Sequence, residues 1–335
     1  MEKEIVLSGV RSTGDIHIGN YFGAIRNFVK MQHEFDHCYF FIADYHSFTT
    51  QKDATLLPKQ VRKILATYLA CGLDPNEAVI YIQSDLPQIP ELYMLLNMIT
   101  YKGELEKVPT FKEKIRAKNV SVNAGLLTYP VLMAADIIVH RATKVPVGKD
   151  QQQHLEMARN LAQRFNHTFG EELFPEPQAF NFDNSLLKIL SLEGTGHKMS
   201  KSDANPNNSI SLDDDEKTVL KKIKKAKTDT GPTEPNSSTE PIDHLFGLME
   251  LVSEPDVVAE YKKQYADCSI KYGYLKLQVA EDLNKMIQPI RKRMLELEKD
   301  TDYMAKVVKN GGEQARENAE KTMKEVRRLM GINYF

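Results

Sequence analysis

The chain contains no tryptophan, so its fourteen tyrosines are its only strong ultraviolet chromophores. It has three cysteines, Cys38, Cys71 and Cys268, far apart and without a C-x-x-C pair. Such scatter argues against a disulfide framework or a thiolate zinc site and fits reduced thiols in a cytoplasmic protein. No run of 18 apolar residues occurs, and no basic N-terminal segment leads into a long apolar one. Neither a membrane span nor a secretory signal is therefore expected. Charge of one sign is also lacking: 44 Lys and Arg against 46 Asp and Glu leave a net charge of −2. Any nucleic-acid contact must then rest on local basic patches, because the overall field will not supply it. What remains is the composition of an ordinary globular protein, 41% hydrophobic and 27% charged, without internal repeats. Its 335 residues suit a large α/β domain with a smaller unit attached.

Short β-prone runs at 5–7, 38–42 and 79–83 alternate with helical patterns at 21–35 and 58–71, the latter ended by Gly72. Alternation of this kind predicts a parallel sheet with crossover helices, whose ligands sit beyond the strand C-terminal ends. His17 and His46 fall at such ends. After residue 202 the texture changes: 203–211 is rich in Asn, Pro and Ser, 228–241 is a polar connector, and the periodic segments beyond about Val219 are all helical.

Two segments carry most of the chemistry. Arg11-Ser12-Thr13-Gly14-Asp15-Ile16-His17-Ile18-Gly19-Asn20 follows the first apolar run. A small-residue turn from a strand into a helix presents backbone N–H groups and a helix N-terminus, both suited to anions. Far downstream, Gly196-His197-Lys198-Met199-Ser200-Lys201-Ser202 follows the apolar run 186–192. Its two lysines sit three apart on a Gly/Ser loop that can reach the same phosphates.

The pair resembles the HIGH-type and KMSKS motifs of class I aminoacyl-tRNA synthetases, here in an HIGN form. Leu126-Leu127-Thr128-Tyr129-Pro130-Val131-Leu132-Met133-Ala134-Ala135-Asp136-Ile137 and Val145-Pro146-Val147-Gly148-Lys149-Asp150-Gln151-Gln152-Gln153-His154 narrow the resemblance to the bacterial tryptophanyl-tRNA synthetases, over nearly the whole chain. It implies a class I Rossmann-like nucleotide-binding fold of α/β type with a parallel sheet, plus an α-helical C-terminal domain. The expected division is a catalytic domain over 1–204, a helical anticodon-binding domain over 205–290 and C-terminal helices over 291–335 packing back toward the catalytic domain. The implied activity is the ligation of tryptophan to tRNA(Trp) through tryptophanyl-adenylate. ATP is a substrate, Mg2+ is carried with it, and no dedicated metal site is expected. A cytoplasmic homodimer is the expected assembly.

The same resemblance assigns roles. His17, Asn20, Lys114, Lys198 and Lys201 would act on the phosphates. The two KMSKS lysines would neutralise charge on the α-phosphate and the departing pyrophosphate, which is electrostatic and positional catalysis. Arg11, Ser12, Thr13, Gly19, Gly148, Asp150, Gln151, Met199, Ser200 and Ser202 would complete the ATP site, with Gly19 letting adenine approach the backbone. Asp150 is equally an N-cap candidate for the helix expected over 151–165. Leu7, His46, Tyr129, Met133, Asp136, Val145, Val147 and Gln151 would form the tryptophan pocket, Gln151 and Tyr129 taking the α-amino group. Tyr129, Met133 and Asp136 share one helix face at i, i+4 and i+7. That face offers an aromatic wall, a thioether and one acceptor, as an indole with one N–H requires.

Some positions depart from the family pattern. Arg11-Ser12-Thr13-Gly14 stands where many bacterial relatives have Gln-Pro-Ser-Gly, so the role of Arg11 cannot be copied from a glutamine. Leu7 replaces an aromatic, and the cysteine spacing of iron–sulfur relatives is absent. The run Lys221-Lys222-Ile223-Lys224-Lys225-Ala226-Lys227 is either an RNA-backbone patch or a solvated helix face. Two other readings are a tyrosine-specific enzyme of the same fold and a catalytically silent RNA-binding relative. The Met133-to-Asp136 segment argues against the first, and intact His17, Lys198 and Lys201 against the second.

Overall fold

Five strands, β1 (Ile5–Arg11), β2 (His37–Ala43), β3 (Val79–Ile82), β4 (Lys144–Val145) and β5 (Gln178–Ala179), form one sheet in the order β3-β2-β1-β4-β5. Every pairing is parallel. The computed structural model describes residues 4–49, 53–116, 122–148, 151–180, 189–194, 196–201, 203, 205–229, 231–232, 234 and 239–334, except the side chains of Thr110, Glu113, Lys114 and Arg116. The first three strands fall on the predicted runs, with β1 running on to Arg11 and β3 stopping at Ile82. β4 and β5 are two residues long and carry too little pattern to be read from sequence. Helical segments link β1 to β2 (Ile18–Asn20, the π-turn Tyr21–Ile25 and Arg26–Glu34) and β2 to β3 (Leu57–Ala70). The chain thus winds outward from β1 to β3 and returns to β4 on the other side of β1. That reversal is the switch point at which doubly wound sheets hold ligands. The architecture is the expected Rossmann-like one, followed by helices.

Strand residues alternate between the two faces. Val6, Cys38, Phe40, Ile42 and Ile80 enter one apolar layer, while Leu7, Tyr39, Phe41 and Tyr81 enter the other. The first layer runs on without a break into the C-terminal helices, through Ile223, Leu245, Leu275 and Ile287. The second is covered by the helices Gln88–Met98, Ala124–Val139 and Gln152–Phe169, and by Ala315, Ala319 and Met323 of the last helix, Thr301–Leu329. The sheet and the helical region therefore share buried surface, and the helix Tyr272–Leu297 runs unbroken past residue 290.

The last helix is seated on the sheet by a glycine. A Cβ placed on Gly311 would lie 1.9 Å from the Ile80 carbonyl oxygen of β3, so only glycine permits the approach. Farther along the same helix, Asn318 Oδ1 lies 2.8 Å from His140 Nδ1 and Arg327 forks onto both Glu91 oxygens at 2.6 and 2.7 Å. Gly311→Ala forces strand and helix apart, and such overpacking costs about 1–3 kcal/mol or more. The urea unfolding midpoint is expected to fall accordingly. An unchanged midpoint would mean that helix and strand part without cost.

Candidate active site

The turn after β1 and the KMSKS loop meet. Gly14 has φ +62°, a conformation that favours glycine, and a Cβ there would lie 3.1 Å from Lys201 Cβ and 3.3 Å from Lys201 O. Lys201 Nζ donates to the Arg11 carbonyl oxygen at 3.4 Å. The loop is tied below by Met199 N–H to Ile189 O at 2.9 Å and Ser191 N–H to His197 O at 2.8 Å, which place Met199 in the apolar layer beneath. Lys198 and Ser200 face outward. Burial and the neighbouring Arg11 lower the Lys201 ammonium to about 8. The lysine is therefore a cation held close to its titration point, in a place where anionic phosphate would favour the charged form.

His17 occupies the N-cap position of the helical segment that follows and is 4% exposed. Its backbone N–H donates to Asn20 Oδ1 at 3.3 Å. Its ring Nδ1 has no hydrogen-bond partner among the described residues, so capping does not account for the imidazole. Burial, together with Lys201 and Lys198, pushes the ring down to about 4, so it is neutral at working pH. Gly19 gives the ring room: a Cβ there would lie 2.9 Å from the His17 imidazole and 3.7 Å from Met199. Ser12 is fully buried with its hydroxyl 2.8 Å from that of Ser47. Arg11 donates from Nη2 to His46 O at 3.2 Å and Thr49 Oγ1 at 3.3 Å, which joins the ends of β1 and β2. Thr13 is half-buried in the same turn.

Beside this turn lies the second set. Leu7, Val145 and Val147 are buried in one apolar cluster against which half-buried Met133 packs. Asp136 is fully buried there. Its Oδ2 is 2.8 Å from His46 Nε2, and its Oδ1 accepts from Gln83 Nε2 at 2.7 Å. Burial raises the Asp136 carboxyl, and the His46 contact opposes that rise. Half-buried Tyr129 puts its hydroxyl 2.6 Å from His154 Nε2, whose Nδ1 lies 3.0 Å from Gln151 Oε1. Gly148 O accepts from Gln151 N–H at 2.9 Å, and Gln151 takes the N-cap position of the helix Gln152–Phe169. Asp150 and Ser202 lie outside the described residues, as does the side chain of Lys114.

The basic run is mixed. Lys222 is buried with Nζ 2.7 and 2.9 Å from the Asp214 oxygens, while Lys221, Lys224, Lys225 and Lys227 are exposed. Two partners were not foreseen from sequence. His154, at the end of the segment 145–154, links Tyr129 to Gln151. Gln83 is a polar residue closing an apolar strand at its C-terminal end, where ligand-facing residues belong.

A sheet switch point where a glycine-bearing turn meets a lysine-bearing loop, beside a buried carboxylate in an apolar cluster, suits a nucleotide next to a mostly apolar small molecule. A family model described as tRNA synthetases class I (W and Y) matches residues 1–288. The chain is 51% identical over 330 residues to a tryptophan–tRNA ligase of Porphyromonas gingivalis, covering 98% of this chain and 99% of that protein. It is 41% identical over 333 residues to a tryptophan–tRNA ligase of Caldanaerobacter subterraneus, covering 98% of each. The structure of tryptophanyl-tRNA synthetase from Campylobacter jejuni complexed with ADP and tryptophan matches at TM-score 0.86 and 34% identity, covering 97% of this chain and 99% of that one. The chain belongs to the class I tRNA synthetases of the tryptophan and tyrosine group.

Proposed function

We infer that the chain activates L-tryptophan with ATP and transfers it to the terminal adenosine of tRNA(Trp). The observation that carries this reading is the meeting of Gly14 and Arg11 with Lys201 beside the buried Asp136 pocket, in a chain so similar to tryptophan–tRNA ligases. The tryptophan carboxylate attacks the α-phosphorus; the new bond is that of the mixed anhydride, and the bond to pyrophosphate breaks. Lys198 and Lys201 meet the negative charge that develops on the phosphates, neutral His17 and Asn20 contact them, and Lys114 is assigned to the same phosphates. Magnesium arrives on the nucleotide. Arg11, Ser12, Thr13, Gly19, Gly148, Asp150, Gln151, Met199, Ser200 and Ser202 surround ATP. Leu7, Met133, Val145 and Val147 enclose the indole, Asp136 and His46 lie at its polar edge, and Tyr129 and Gln151 hold the α-amino group.

The reading extends to a catalytic unit over 1–204, an anticodon-binding unit over 205–290 and terminal helices over 291–335, the last two sharing the helix Tyr272–Leu297. It also takes the protein as a cytoplasmic homodimer; among the described residues no helix is long and apolar enough to cross a membrane. Exposed Lys221, Lys224 and Lys225 are candidates for the RNA backbone.

Amino-acid-dependent ATP–pyrophosphate exchange tests the reading. Tryptophan should support exchange, with tyrosine and phenylalanine orders of magnitude behind. Because the protein has no indole of its own, titration should also move bound tryptophan's emission as the ring leaves water. Exchange driven by tyrosine, or emission that merely sums the components, would reject it.

A further inference from the structure

Gln83 follows directly on β3, opening the short turn Gln83–Asp85, and is fully buried. The turn is fixed from two directions. Asp44 Oδ1 accepts from Ser84 N–H at 3.1 Å, and Arg316 of the last helix donates to Asp85 O at 3.0 and 3.3 Å. So held, the Gln83 amide donates from Nε2 to Asp136 Oδ1 at 2.7 Å. Once Nε2 faces Asp136, Oε1 must point elsewhere, and it has no hydrogen-bond partner among the described residues. A buried carbonyl left unpaired is unfavourable, so this oxygen suits a donor brought in by a ligand.

We propose that Gln83 is a specificity-determining residue for the amino-acid side chain. It holds the Asp136 carboxylate as an acceptor and offers its own Oε1 to the ring N–H of the substrate. The inference rests on the tryptophan reading above. Asp136 sits between two donors, one oxygen to each, and a carboxyl that took up a proton would lose one of those contacts. Desolvation favours that proton, and the Gln83 amide opposes it without titrating itself. Among the described residues, the other titratable groups facing Asp136 are His46, Asp44 and Tyr81. His46 also contacts the carboxylate, but of these two donors Gln83 is the one with a fully buried acceptor atom that has no partner among the described residues.

Gln83→Met keeps the volume and removes both amide functions. Its kcat/KM for tryptophan in the exchange reaction should fall about 10- to 100-fold, the range for one hydrogen bond to a charged group. The loss should lie mainly in KM, because indole contacts are equally strong before and during adenylation. Wild-type preference for tryptophan over the benzothiophene analogue, which lacks the ring N–H, should shrink about tenfold. Gln83→Glu supplies the rescue. The introduced carboxyl donates to Asp136 only while protonated, so tryptophan KM should stay near wild type at the acid end of the assay range and rise with pH. A purely structural Gln83 predicts lower melting temperatures with the analogue preference intact in both variants, and that outcome overturns the proposal. If the wild-type protein fails to activate tryptophan, the tryptophan reading itself fails.

Discussion

Lys201→Ala is expected to slow tryptophan-dependent ATP–pyrophosphate exchange by about 30- to 800-fold, or about 2–4 kcal/mol of transition-state stabilisation. Tryptophan binding should change little. The charge the lysine meets develops mainly as pyrophosphate departs, so its removal lowers kcat and kcat/KM together. An exchange rate within twofold of wild type would remove Lys201 from the mechanism. The same residue sets a pH signature. Its ammonium is lowered to about 8 by burial and Arg11, so it carries its charge below that pH and loses it above. His17, at about 4, is neutral throughout and adds no limb between pH 5 and 8. In the free enzyme kcat/KM for ATP should therefore fall above about pH 8, while bound phosphates raise the lysine and move the limb in kcat to higher pH. Lys201→Arg, which cannot deprotonate, should abolish the alkaline limb in kcat/KM. A limb that survives this substitution belongs to another group.

Local chemistry was readable wherever it was written in contiguous residues. The runs before Arg11 and around Phe40 are β-prone and form β1 and β2. The tetrapeptide His17 to Asn20 and the lysines at 198 and 201 announced phosphate chemistry, and the two loops do meet. A carboxylate in the apolar stretch 131–139 pointed to a buried acceptor, and Asp136 is buried with its oxygens engaged. What escaped was set by contacts between distant segments. Gln83 reads as the tail of a strand until folding brings it across 53 residues to Asp136. Lys222 reads as one of a basic run until Asp214 draws it inside. Gly311 stands in Asn310-Gly311-Gly312, which reads as a turn from sequence, and only the closeness of Ile80 explains a glycine inside the helix. Gly19 is expected to open the backbone to adenine; what the structure shows is that its missing Cβ makes room for the His17 ring.

Replacing Asp136 should have the largest effect on which amino acid the enzyme accepts. A site built around a buried hydrogen-bonding group rejects analogues lacking the partner far more strongly than a missing methylene could explain. Asp136→Ala removes the carboxylate that holds the Gln83 amide toward the ring N–H and leaves the donors of His46 and Gln83 without their acceptor. Each buried donor so stranded costs about 1–3 kcal/mol, so the variant should be less stable as well as less selective. Asp136→Asn separates the two effects. It fills the same volume and can still accept at one oxygen, so most of the stability should return. Its amide nitrogen, however, faces a donor where a carboxylate oxygen stood, and the charge that strengthened every contact is gone. Preference for tryptophan over the benzothiophene analogue should therefore stay low in Asp136→Asn while its melting temperature recovers toward wild type. Measuring kcat/KM for both amino acids beside the melting temperature decides the matter. Wild-type discrimination in a stable Asp136→Asn protein would assign the carboxylate to packing alone and leave the indole to be read by other groups in the pocket.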